Sequence, residues 1–367
     1  MEVNFFDQAF IDDPFPALRA VRAMGPAVYN PLSDSYLVTG YRDIEAAFKD
    51  ARTFSSTVLE DPDFGPWFDG AKSMITSDAP DAARLRSTLQ ARFTNRAAGK
   101  LENSIRGYVA AILENPILHS REARVEGVNA VDVITERLPT LVLCDLLGIP
   151  ERDVPYFAEL TEALINGTSA GTTSDPRATR LFAKAIQARD RLRDYIEALV
   201  ADYRKHPRDD VVNDMIKARD DDKISSAEIV ANMLVLLLGG VDTTAKLSAS
   251  LIWLLGMHPD QRQLLLADPT LQRAAVEEAL RCAGPASYDP RRVIDGATVG
   301  GQELHDGDVV WLLTLVGNRD PQVFANPDEF DVRRTPGPHP AGGTAIEVSA
   351  LRSRHSGVGP GVLRARH

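Results

Sequence analysis

The amino-acid sequence predicts a mainly α protein with small β-sheets, an α+β chain, and three observations carry that prediction. Helical periodicity dominates from about residue 80 to residue 282, short β-branched and aromatic runs precede it, and strand signals return after residue 282. With 367 residues, 44% hydrophobic and 25% charged, the chain can bury a large core.

Taken in order, "PFPALRAVRAMG" has apolar residues at helical spacing and a glycine stop, and it is followed by "AVYN" and "SYLVTG", which read as strands of a small sheet near the start. The helical middle comprises "AARLRSTLQARFT", "LENSIRGYVAAILEN", "AVDVITERLPTLVLCDLLG", "ATRLFAKAIQARDRLRDYIEALVADYRKH" and "SAEIVANMLVLLLGGVDTTAKLSASLIWLLGMHP". Between two of these, "NGTSAGTTSDP" at 166–176 reads as a flexible connection, because Gly, Ser and Thr favour turns over helix. After residue 282, "ATVGGQEL" and "DVVWLLTLV", separated by "HDGD", predict a second small sheet.

A formal net charge of -11 argues against general nucleic-acid binding. Two cysteines, Cys144 and Cys282, each within apolar helical sequence, are too few for a disulfide framework and fit a reducing, cytoplasmic setting as buried thiols. The N-terminus carries acids where a secretory signal needs a basic start. The most apolar run, "MLVLLLGGV" at 233–241, stops at Asp242, well short of the roughly 20 residues that span a bilayer, so no membrane span is expected.

"LLLGGVDTTAKL" places Gly239, Gly240, Asp242, Thr243 and Thr244 inside an otherwise apolar helix. Adjacent glycines cost roughly 1 kcal/mol each against alanine in a helix interior, so something must offset them. One explanation is a flat ligand approaching the backbone, with a carboxylate and a hydroxyl beside it to relay protons. The other is a helix crossing with the threonine bonded back to its own turn. Further on, "EEALR" sets Glu278 and Arg281 at i and i+3 on one helix face. Alone, that spacing marks an ordinary ion pair.

Taken with "GNRDPQVFANPDEFDVRR" at 317–334, these stretches resemble the cytochrome P450 superfamily, specifically its bacterial, soluble heme-thiolate monooxygenases, and the likeness covers about residues 10–335. That family's (A/G)-G-x-(D/E)-T is matched by Gly239 to Thr243, and its E-x-x-R by Glu278 and Arg281. Its N-R-D-P is matched by Asn318 to Pro321. Its F-x-x-P-D-x-F-D-x-x-R is matched by Phe324, Pro327, Asp328, Phe330, Asp331 and Arg334. The resemblance implies that Asp242 and Thr243 deliver protons on the oxygen-binding side of a heme, beside Gly239 and Gly240, and that Glu278, Arg281 and Arg334 form a buried ion network fixing the 317–334 segment. "SDAPDAARLRSTLQARFT" resembles the family's D-P-P-x-H-x-R-L-R helix, which puts Arg86 at the propionate-binding arginine and Ala82 where a histidine is usual. "YDPRRV" resembles a strand with a second propionate cation, Arg291, or else Arg292. A small apolar substrate and a ferredoxin-type electron donor are the implied partners. The pocket would be lined by residues 57–77, by 166–176 and by the central helix.

Residues 1–335 thus read as an incomplete P450-like domain and 336–367 as an aberrant, disordered tail. The family continues with H-L-A-F-G-x-G-x-H-x-C-x-G, whose cysteine ligates iron; here His339 and Ala341 keep register, Glu347 stands at the loop histidine, and Ser349 stands at the cysteine. A serine hydroxyl is a poor iron ligand and cannot supply the electron push of a thiolate. The tail "ALRSRHSGVGPGVLRARH", with four arginines and no acid, resembles sequence read out of frame, and no replacement metal ligand is expected. The resemblance implies one of two functions: a heme-dependent monooxygenase, inactive as written for want of its thiolate, or a heme-free P450-like auxiliary protein that activates a partner enzyme.

Overall fold

The computed structural model describes residues 2–5, 7–60, 67–170, 176–203 and 205–334. The expectations for His339, Ala341, Glu347, Ser349 and the rest of the tail, and for 61–66 and 171–175 of the pocket segments, lie outside these residues. The chain divides into two compact units: one holds the residues up to Leu59 and those from Lys246 on, the other Glu60–Ala245.

The first unit opens with α1 (Gln8–Asp12), started by the Asp7 side chain accepting from the Ala9 amide, and α2 (Phe15–Met24), which buries Leu18 and Val21 and stops at Gly25. The hairpin β1 (Ala27–Asn30) and β2 (Ser35–Val38) comes next, then α3 (Tyr41–Lys49) and the short β3 (Phe54–Ser55). In the second unit come α4 (Asp81–Ser87), α5 (Asn95–Leu113), α6 (Pro116–His119), α7 (Arg121–Glu126), α8 (Arg137–Leu146), α9 (Val154–Ala170), α10 (Pro176–Tyr203), α11 (Val211–Asp220) and α12 (Ser226–Leu237). The chain returns to the first unit through α13 (Thr243–Met257), α14 (Pro259–Ala267) and α15 (Gln272–Ala283). It ends its described part with β4 (Asp289–Val293), β5 (Ala297–Val299), β6 (Gln302–Leu304), β7 (Val309–Leu312) and α16 (Thr314–Gly317).

The sheet differs from the sequence expectation of two separate small sheets. Strands from both ends of the chain form one five-stranded sheet in the order β1-β2-β7-β4-β3, and only β5 and β6 stand apart, as an antiparallel hairpin. Strand β7 lies parallel to β2, with Leu37 opposite Trp311, and antiparallel to β4, with Arg291 opposite Val310. Alternation explains why it takes the central place. Trp311 joins Leu37, Phe5 and Tyr288 on one face, whereas Val310 and Leu312 join Val38, Ile44 and Val293 on the other, so β7 is buried on both faces. The "TLV" of "DVVWLLTLV" turns into α16 instead of extending the strand.

Among its described residues the second unit contains no strand. The expected flexible connection at 166–176 is shorter than the sequence suggested, because α9 runs through Ala170 and α10 starts at Pro176. Gly167 serves packing there: a Cβ on it would sit 2.0 Å from the Ala185 Cβ and 2.7 Å from the Leu181 carbonyl oxygen of α10, so only glycine lets the two helices approach this closely.

The apolar run at 233–241 belongs to a longer helical stretch than its composition revealed. Ser226–Met257 is continuous over 32 residues, and its most apolar window, of mean hydropathy 1.4, meets the length and composition of a membrane span. Of that window 72% is buried inside the protein, the mark of a core helix.

Candidate active site

Helix α12 starts at a capping box: the Ser225 hydroxyl accepts from the Glu228 amide at 3.2 Å, and Glu228 Oε2 accepts from the Ser225 amide at 2.7 Å. At its far end the helix widens into a π turn over Leu238–Asp242, which contains both glycines, before α13 begins at Thr243. Such a turn leaves a carbonyl without its usual partner, and the Thr243 hydroxyl donates to that of Gly239. The threonine therefore does bond back to its own turn, while its lone pairs stay available to a further donor. Thr243 is 2% exposed and Asp242 is 9% exposed. A Cβ on Gly240 would meet the Leu143 methyls at 3.6 Å, an ordinary contact, so packing against α8 does not itself require a glycine.

Arg86 and Arg84, two residues apart in α4, have opposite fates. Arg84 is consumed: its Nη2 reaches Glu228 Oε1 at 2.6 Å and Asp81 Oδ1 at 2.7 Å, and its Nη1 donates to the Lys223 carbonyl at 2.6 Å. Burial works to raise the Glu228 carboxyl, but the hydrogen bonds from Arg84 and Ser225 outweigh it and hold the group below its ordinary range. Arg86 is exposed, and its side chain makes no hydrogen bond or ion pair among the described residues. The Ser77 hydroxyl, just before the α4 turn, is buried without a hydrogen-bond partner among the described residues. Asn232, one turn after Glu228, accepts from the Met74 amide at 2.9 Å. Sequence patterns did not single out Arg84, Glu228 or Asn232, although S-x-x-E at Ser225 and Glu228 is a legible helix start.

In the first unit Glu278, Arg281 and Arg334 come together. Arg281 forks onto Glu278, Nε to Oε2 and Nη2 to Oε1, each at 2.8 Å, and Arg334 Nε reaches the same carboxylate at 2.9 Å. The Asp331 amide adds a bond at 3.1 Å. Arg281 also donates to the carbonyls of Asn318, Pro327 and Glu329, and Arg334 to those of Ala325 and Asn326, so two guanidiniums tie residues 318–331 to α15. Burial alone would raise the Glu278 carboxyl; the Arg281 hydrogen bonds and charge hold it below the ordinary carboxylate range. Arg291, on β4, donates to the Pro290 carbonyl at 2.7 Å and lies 5.3 Å from the centre of the Phe48 ring. Arg292 is part-buried and directed to the Gly307 carbonyl at 3.5 Å.

Neither cysteine is placed as an iron ligand. Cys144 is buried in α8, and burial pushes its thiol up to about 12. Cys282 accepts from Arg281 Nη2 at 3.0 Å inside the Glu278 network, and burial pushes its thiol up to about 11. Both thiols are thus taken up by packing or by the Glu278 network.

The fit to heme, which the resemblance implies, is therefore divided. An arginine and a buried hydroxyl that have no partner among the described residues, and a helix turn opened by glycines, suit a flat dianionic ring. The cysteines do not suit its metal.

Comparison with known proteins agrees with this geometry. The cytochrome P450 family model matches residues 31–335. The biotin biosynthesis cytochrome P450 of Bacillus subtilis (strain 168) is 30% identical over 341 residues, which cover 90% of this chain and 82% of that protein. The vitamin D(3) 25-hydroxylase of Pseudonocardia autotrophica is 31% identical over 342 residues, 90% of this chain and 80% of its own. The crystal structure of CalO2 superposes with a TM-score of 0.81 at 25% identity, covering 95% of this chain and 89% of that one. On motif, fold and extent of match alike, this chain belongs to the cytochrome P450 family.

Proposed function

We propose that the chain is built as a P450-type oxidoreductase for a small apolar substrate, served by a ferredoxin-type electron donor in the cytoplasm, and that it is not competent for oxygen insertion as written. Heme, when bound, supplies the oxygen-activating chemistry of this family. Arg86 would hold one propionate and Arg291 is the candidate for the other, both as fixed cations to carboxylates. Gly239 and Gly240 would let the ring lie close to the helix backbone. Asp242 and Thr243 would supply the proton path, the Thr243 hydroxyl turning from the Gly239 carbonyl to hand its proton on as it takes another. Glu278, Arg281 and Arg334 would fix residues 318–331 against α15 without touching the reaction.

The observation that carries the loss of competence is the place of the two cysteines: Cys144 is buried in the packing of α8 and Cys282 in the Glu278 network. A heme-free auxiliary protein is the weaker reading, since it has no use for the Gly239–Thr243 turn. Reconstitution with hemin, and then the reduced, carbon-monoxide-bound spectrum, tests the proposal. Hemin binding with a band lacking the thiolate shift is expected. A thiolate-shifted band overturns the loss of competence, and no hemin binding overturns the oxidoreductase reading.

A further inference from the structure

We infer that Glu228 is a positioning residue for the heme carboxylate edge, acting through Arg84 to set where Arg86 presents its guanidinium; this rests on the heme-binding part of the proposed function. Helix α4 has seven residues and no side-chain cap at its start. A helix this short does not hold its own position, so its placement comes from tertiary contacts. Residues two apart on a helix point roughly 200° apart. Fixing Arg84 inward therefore fixes Arg86 outward.

Glu228 is suited to be the fixed point. One of its carboxylate oxygens is bound by the Ser225 amide within the capping box, and the other receives Arg84, so the start of α12 and the placement of α4 share one carboxylate. Its side chain is 11% exposed against 33% for Arg84, which puts the pair in the regime where charge-assisted hydrogen bonds are directional and screened little. A second anchor lies one turn on: Asn232 holds the Met74 amide with its carbonyl and donates to the Glu228 carbonyl at 2.7 Å. The segment leading into α4 and α4 itself are thus registered to the first two turns of α12. That same helical stretch carries Gly239, Gly240 and Thr243 further along. Arg86 is what this frame leaves without a hydrogen bond or ion pair among the described residues, and Asp81 and Glu228 are taken up by Arg84.

The test is hemin affinity by absorbance titration of the full chain in four forms: the parent, Glu228→Gln, Arg86→Ala and the double variant. Glu228→Gln is expected to weaken hemin binding about fivefold, as loss of a charged hydrogen bond that positions another group would. In the Arg86→Ala background the same change is expected to matter less than about twofold, because the residue it positions is gone. Equal losses in both backgrounds assign Glu228 a merely structural role and overturn the inference, as does unchanged affinity in Glu228→Gln. A parent chain that binds no hemin overturns the reading beneath it instead. Should Glu228→Gln not fold, Arg84→Lys, which keeps a charge at Glu228 but loses the fork, is expected to show the same dependence on Arg86.

Discussion

Glu278 and Arg281 lie one turn apart in α15 and meet through two parallel hydrogen bonds of 2.8 Å, with both side chains 2% exposed. Their burial changes the meaning of an otherwise ordinary i, i+3 pair. On a surface such a pair contributes little. Here removal of Glu278 leaves Arg281 buried among carbonyls beside a second arginine, and removal of Arg281 leaves the buried Glu278 carboxylate with only Arg334 and the Asp331 amide. Glu278→Ala is expected to destabilise the protein by about 3–5 kcal/mol. A urea midpoint corresponding to less than about 1 kcal/mol of loss would show the network to be dispensable.

The pH dependence comes from the direction of the carboxyl shifts. Glu278 and Glu228 are both held below their ordinary value of 4.5 in the folded chain. Between the folded and unfolded values the unfolded chain binds protons that the folded chain does not, so their stabilising contribution is full above 4.5 and is lost as pH falls below it. Urea unfolding measured across that acid window should steepen in pH dependence as pH drops, and Glu228→Gln should flatten part of the slope. A parent protein equally stable on both sides of 4.5 contradicts the assignment.

The two thiols should be silent in the native state. Cys144 and Cys282 are buried and pushed up to about 12 and about 11, so the reactive thiolate is scarce at neutral pH. A chromogenic disulfide reagent should release two equivalents from the urea-unfolded chain and none, on the same timescale, from the folded one. Fast release of one equivalent from native protein would mean that one cysteine is open to chemistry, including metal ligation.

Gly240→Ala separates packing from ligand approach. Its new methyl would meet Leu143 at ordinary contact distance, so the apo protein is expected to be as stable or to gain up to about 1 kcal/mol from helix propensity. Hemin affinity should fall. Loss of stability with unchanged hemin affinity would assign the glycine to helix packing.

What the sequence made legible was local. The E-x-x-R pair, the Gly239–Thr243 run, α2 with its Gly25 stop and the β1–β2 strands are patterns within a few residues, where spacing alone places side chains on one face. The central position of β7 was not legible, since its pairing with β2 sets Trp311 opposite Leu37 across most of the chain. The Arg84–Glu228 bond, between residues 144 apart, left no local trace either. The resemblance picks out Arg86 of the two arginines, and the fold adds that Arg84 is consumed by Glu228, Asp81 and the Lys223 carbonyl. Gly167 misled for a related reason: a glycine among serines and threonines reads as a turn, and the close approach of α10 that calls for it is a tertiary fact.

The place of β7 in the sheet also sets an order of assembly. Strands β1, β2 and β3 leave the ribosome within the first 55 residues, yet the strand between β2 and β4 begins only at Val309. Until then the β2 edge has unpaired amides and carbonyls, the arrangement that recruits wrong partners. A nascent chain of this protein thus carries an open edge through almost its whole synthesis, until residues 309–312 arrive to cover it.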